Sequence, residues 1–177
     1  AALDQSYKQC QQHLEVGIRV AMRTADFHQA ATAVIMRNEV FWCRGKNLNK
    51  QLRNAEKLNT IIKFGQQSNL SNQYFIHLQL LHNLTEPNDT PHSISGQYYN
   101  HAAALKAGVS HNSATAKYYF YSLYCCVLFA EWRVALKLTE RVVDLSDELT
   151  QSANIANLQL LLLLTYNESE HLQLPGI

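Results

Sequence analysis

Four cysteines, eight histidines and a run of tyrosines are the side chains of this 177-residue sequence whose types could carry chemistry. A zinc hydrolase site of the helical kind needs two histidines four apart with a glutamate between them, and no His-Glu-x-x-His occurs. His13, His28, His77, His82, His92, His101, His111 and His171 are scattered, and the five-residue step from His77 to His82 is poor for two ligands on one helix. The cysteines Cys10, Cys43, Cys125 and Cys126 contain no Cys-x-x-Cys pair, and the adjacent two have a spacing that rarely bridges. Cys43, Cys125 or Cys126 could meet a distant histidine as a nucleophile pair only through folding, so reduced, mostly buried thiols are the expectation. A Gly-x-Ser-x-Gly elbow is absent, as are Gly-x-x-x-x-Gly-Lys-Ser/Thr and Gly-x-Gly-x-x-Gly phosphate loops. The expectation is therefore a segment without catalytic residues, metal or cofactor.

Two surfaces could bind instead of react. Lys46, Lys50, Arg53 and Lys57, with Lys63 beyond them, fall on the outer side of one helical stretch with Glu56 as the single interleaved acid. That face could hold nucleic acid or an acidic partner, although a solvated face is the plainer expectation. The formal net charge of +1 offers no bulk attraction for a phosphate backbone, so nucleic acid is an improbable main partner. Tyr118, Tyr121 and Tyr124 could line a recognition groove, although core packing is the plainer expectation.

The elements that must position these residues read as helices throughout. Hydrophobic residues make up 47% of the chain, enough for a sizeable core, while six Gly and three Pro are too few for a many-turned sandwich or barrel. Leu14, Ile18, Ala21 and Met22 recur at helical steps, then the pattern resets across Thr24-Ala25-Asp26-Phe27 as a tight turn. The next helix runs from about Asp26, a cap residue by type, to Trp42, and stops near Gly45. Further helices are predicted over about 48–67, 71–84, 98–105, 118–129, 131–149 and 151–166, which makes eight in all. The nearly continuous apolar run of Tyr74, Ile76, Leu78, Leu80, Leu81 and Leu84 marks a central helix buried on more than one side. Residues 85–93, with two of the three prolines, form an internal loop of one domain over 1–168, and 169–177 is a tail or linker.

The longest apolar run, Leu160 to Leu164, is far short of the roughly 20 residues of a membrane-spanning helix. No basic start followed by an apolar block is present, and the first residue is not Met, which suggests a fragment of a longer chain. Reduced thiols favour a cytoplasmic setting. Asn-x-Ser/Thr sequons at Asn69, Asn83, Asn88 and Asn167 would suit a secreted glycoprotein, but exceed chance only mildly in so Asn-rich a chain.

Ala25-Asp26-Phe27-His28-Gln29-Ala30 and Ala130-Glu131-Trp132-Arg133-Val134-Ala135 share one pattern: a small residue, an acid and an aromatic, then an alanine three further on. This resembles the turn of a tetratricopeptide repeat, and the two copies lie 105 residues apart, near three multiples of the roughly 34-residue period. An unrelated antiparallel bundle with similar turns is the alternative. The stretches from Gly17 to Ala31, Phe41 to Leu48 and Tyr118 to Ala135 also resemble a degenerate helical-repeat region of very large bacterial signalling proteins. Those proteins join a kinase-like or ATPase module, a sensory domain and a histidine kinase or other output. The chain departs from that family's pattern in placing Ala25 and Ala130 where a glycine is usual. The resemblance implies an all-α fold of tetratricopeptide-like hairpins with Asp26, Phe27, Ala30, Glu131, Trp132 and Ala135 as turn-packing residues. It also implies a non-catalytic interaction module of a cytoplasmic signal-transduction protein, whose partners are proteins or neighbouring domains. A small all-helical enzyme domain and a basic-face nucleic-acid binder are the alternatives.

Overall fold

Helix formers with few glycines and prolines give a chain that is all-helical, with no strand among the described residues. The computed structural model describes residues 2–45, 47–64, 68–106, 112–149 and 152–171. Within them lie α1 (Ala2–Arg23), α2 (Phe27–Cys43), α3 (Leu48–Glu56), α4 (Asn59–Phe64), α5 (Ser68–Thr85), α6 (His101–Lys106), α7 (Asn112–Leu128), α8 (Trp132–Asp144) and α9 (Ser152–His171). The chain divides into two compact units, Ala1–Thr85 and Glu86–Ile177.

In the first unit α1 and α2 form an antiparallel hairpin. Ala25 adopts φ 56°, the Asp26 N–H reaches back to the Ala21 carbonyl at 2.9 Å, and the Ala25 N–H reaches Met22 at 3.4 Å. This paired closure satisfies the last carbonyls of α1 while Asp26 starts α2, its carboxylate accepting from the Gln29 N–H at 3.1 Å. Beyond the turn, Ile18 and Ala21 of α1 and Ala30, Ala31, Val34 and Ile35 of α2 are buried. At the far end Arg37 pairs with Glu15 at 3.2 Å, and Arg44 bonds both Asp4 at 3.0 Å and Gln11 at 2.8 Å. The closing glycine, Gly45, has φ 58°, as its position after α2 requires.

The single helix predicted over 48–67 is broken, and a side chain from α5 meets it at the break. The Tyr74 hydroxyl donates to the Ala55 carbonyl, the acceptor that the Asn59 N–H would use in an unbroken helix. The same carbonyl takes the Leu58 N–H at 2.8 Å, so the ladder tightens to three-residue steps and α4 restarts at Asn59. α5, which carries Tyr74, is the central helix its pattern predicts: Tyr74, Ile76, Leu78, Leu80 and Leu81 are all buried, with α2, α3 and α4 packed on it. It also buries His77, Gln79 and Asn83, so its core is partly polar.

In the second unit α7 and α8 form another antiparallel hairpin, and α9 packs on both. Its turn repeats the first. Ala130 adopts φ 59°, the Glu131 N–H reaches Cys126 at 2.7 Å, and the Ala130 N–H reaches Val127 at 3.3 Å. Buried positions also repeat at the 105-residue offset: Ile18 and Leu123, Ala21 and Cys126, Ala30 and Ala135, Val34 and Thr139. The helix predicted over 98–105 starts only at His101, where the Asn100 side chain caps the Ala103 N–H at 2.9 Å. That over 131–149 ends at Asp144 and finishes as a 3₁₀ turn, Ser146–Glu148. The eight predicted helices thus become nine among the described residues, two of them of six residues.

Candidate functional site

The predicted turn residues differ in burial, and Asp26 and Glu131 are exposed. Ala30 and Ala135 are fully buried one turn into the second helix of each hairpin, where a larger side chain would force the helices apart. Phe27 and Trp132 are half-buried beside them, and the Phe27 ring lies 5.5 Å from that of Phe64. The two acids differ: Asp26 caps α2, whereas Glu131 makes no side-chain cap.

The three tyrosines do not form one groove wall. Tyr121 is only 3% exposed, with the Lys117 ammonium 5.9 Å over its ring, so it serves the core. Tyr118 and Tyr124 are half-buried, and burial pushes both phenols above their ordinary range. Tyr118 stacks on His101 with centroids 3.7 Å apart and planes 6° from parallel. Lys50 and Arg53 of α3 and Lys57 at its C-terminal end are exposed while Gln51, Leu52 and Ala55 are buried. Lys46 lies outside the described residues.

The thiols fall into two classes, a correction to the expectation of mostly buried ones. Cys10 and Cys43 are exposed, and Cys125 and Cys126 are buried. Burial pushes both buried thiols up to about 12, helped at Cys126 by the Glu131 carboxylate, so neither is a thiolate near neutral pH. Cys43 is raised as well, by partial burial and then by Glu39. Asn83, in one of the four sequons, is buried within α5 and inaccessible to glycosylation. Among the described residues no group of three His, Cys, Asp or Glu is placed to hold a metal ion, and no helix is long and apolar enough to cross a membrane.

Two features escaped the sequence reading. One is a shallow groove of about 450 Å³ along α1, lined by Ser6, Gln9, Cys10, His13, Leu14 and Gly17 with Ala33 of α2 opposite. Positions 6, 10, 13 and 17 make a helical stripe, a periodicity that was open to inspection, but the stripe is polar and small and so gave no apolar signal. A methyl group added at Gly17 would meet nothing within 4 Å, so the backbone is open to a partner there. The other is a buried polar crevice in the first unit, lined by Asn38, Phe41, Gln51, Asn54, His77 and Leu81, with no room for a water molecule. The Trp42 ring meets His77 edge-on at 5.9 Å, and the Asn38 amide nitrogen is buried without a hydrogen-bond partner among the described residues. Its polar walls are spread over α2, α3 and α5, so no local pattern announces it.

No protein-family model, curated protein or solved structure matches the chain.

Proposed function

We propose that the chain is a non-catalytic, tetratricopeptide-like interaction module of a cytoplasmic signal-transduction protein, which engages a protein segment or a neighbouring domain. One observation carries the reading: the same hairpin, with the same left-handed alanine and the same pair of closing hydrogen bonds, is built twice 105 residues apart. Repeated hairpins of this kind cover one another and leave long surfaces for recognition. The groove along α1 is the surface the reading uses, since it is open, weakly charged and floored by Gly17. A short segment with small and apolar side chains would lie along it with its polar backbone turned to Gln9 and His13. The buried, protonated thiols of α7 and the closed polar crevice of the first unit both fit a segment without chemistry of its own.

Selection of a displayed random-peptide library on the intact chain tests this. Expected are related sequences whose binding is abolished by Gly17→Trp, which fills the groove, and kept by Lys57→Glu on the opposite type of surface. No enrichment over an unrelated helical protein, or binding indifferent to Gly17→Trp, would overturn the reading.

A further inference from the structure

An aromatic cluster joins the stretch 96–106 to α7 in the second unit. α6 fully buries none of its six side chains, and the stretch before it is closed by the Gly96 N–H bonding the Tyr99 carbonyl at 2.7 Å. In the cluster His101 is half-buried and stacked on Tyr118 at 3.7 Å, with the Tyr119 ring at 5.7 Å and 75°. Tyr99, itself 8% exposed, puts its hydroxyl 3.4 Å from His101 Nδ1 and its ring 6.2 Å from that of Tyr118.

This arrangement treats the two protonation states of His101 differently. A neutral imidazole can accept from the Tyr99 hydroxyl at Nδ1, and protonation there replaces the lone pair with a second donor. Besides His101, the titratable and charged groups of the stretch are Tyr98, Tyr99 and Lys106, and those of α7 are Lys117, Tyr118, Tyr119, Tyr121, Tyr124, Cys125 and Cys126. None is an anion near neutral pH, and no Asp or Glu occurs between Asp89 and Glu131. The Tyr118 face would attract an imidazolium, but that gain is modest and is set against the cost of half-burying a charge without a counter-ion.

We propose that Tyr99, His101, Tyr118 and Tyr119 form an acid-released latch, which docks residues 96–106 onto α7 while His101 is neutral and frees them when it is protonated. Burial holds the imidazole below its usual 6.5, and holds the Tyr99 phenol up at about 12, so it stays a neutral donor over the working range. The sign follows from linkage. A base whose pKa is lowered by docking favours the docked form fully above about pH 6.5 and loses that advantage as pH falls from there toward the docked value. The proposal does not depend on the groove along α1, and either can fail alone.

The test is an NMR titration of the intact chain from pH 8 to pH 5, following the His101 ring protons and the exchange of the Ala103 and Ala104 amides, whose bonds go to Asn100. Expected are a His101 midpoint below 6.5 and, after correction for the intrinsic pH dependence of exchange, an acid loss of amide protection. That loss should be about tenfold for each unit by which docking lowers the midpoint. His101→Phe keeps a ring for the stack and cannot titrate, so its protection should not change over the same range. A His101 midpoint at or above 6.5, protection that survives to pH 5, or the same acid loss in His101→Phe would each overturn the latch.

Discussion

Ala25 and Ala130 sit at φ 56° and 59°, a region that costs an L-residue with a Cβ about 1–2 kcal/mol. Both turns are nevertheless closed by the full pair of backward hydrogen bonds, so the strain is carried by the hairpins. Ala25→Gly and Ala130→Gly should each stabilise the chain by about 1 kcal/mol, less the entropy that glycine adds to the unfolded state. The sites lie in different units, so the effects should add. Thermal denaturation of the single and double variants checks this. A loss of stability in either would mean that the left-handed alanine is relieved by something other than backbone geometry. Ala30→Gly and Ala135→Gly are the contrast, because buried helix interiors should lose about 1 kcal/mol from the same change. At the same turns Asp26 caps and Glu131 does not, so Glu131→Asp should gain about 0.5–1 kcal/mol by reaching the free N–H groups at the start of α8.

Among the elements, those with strong periodic signals were legible and those shaped by a distant side chain were not. The turn at Asp26, the stop at Gly45 and the all-round burial of α5 were written in residue type and spacing. The break between α3 and α4 was hidden, since nothing within 48–64 opposes a continuous helix and the group that interrupts it, Tyr74, is 19 residues from Ala55. The groove and the aromatic cluster were missed for related reasons: one is a stripe of small polar residues, and the other joins His101 to Tyr118 across 17 residues. Tyr74→Phe isolates the effect at the helix break. It should cost about 1 kcal/mol for the lost hydrogen bond, since the Ala55 carbonyl keeps the Leu58 N–H. Hydrogen exchange at Asn59 should slow relative to its neighbours as the freed carbonyl becomes available to that amide. Unchanged exchange there would show that the break has a cause other than the tyrosine.

For the whole chain, the division at Thr85 and Glu86 falls in the proline-containing stretch that composition marked as a loop, and residues 86–90 are the longest exposed run among the described residues. In the first unit Ala30, Val34, Ile62, Ile76, Leu78 and Leu80 are at most 1% exposed. A repeat array held only by the stacking of each hairpin on its neighbours would lose helices when cut between them, because each hairpin buries too little alone. A unit with a closed core behaves otherwise, and about 85 residues is enough for such a core to fold. Brief proteinase K digestion should therefore cut first within 86–90 and leave a fragment of residues 1–85 that retains its helicity and melts in one cooperative transition. Mass spectrometry locates the cut and circular dichroism follows the melt. A first cut inside α2 or α5, or a fragment without a cooperative transition, would mean that the core around α5 depends on residues beyond Thr85. If the fragment folds, the α1 groove and the polar crevice belong to a self-sufficient unit, and peptide selection can be repeated on it directly.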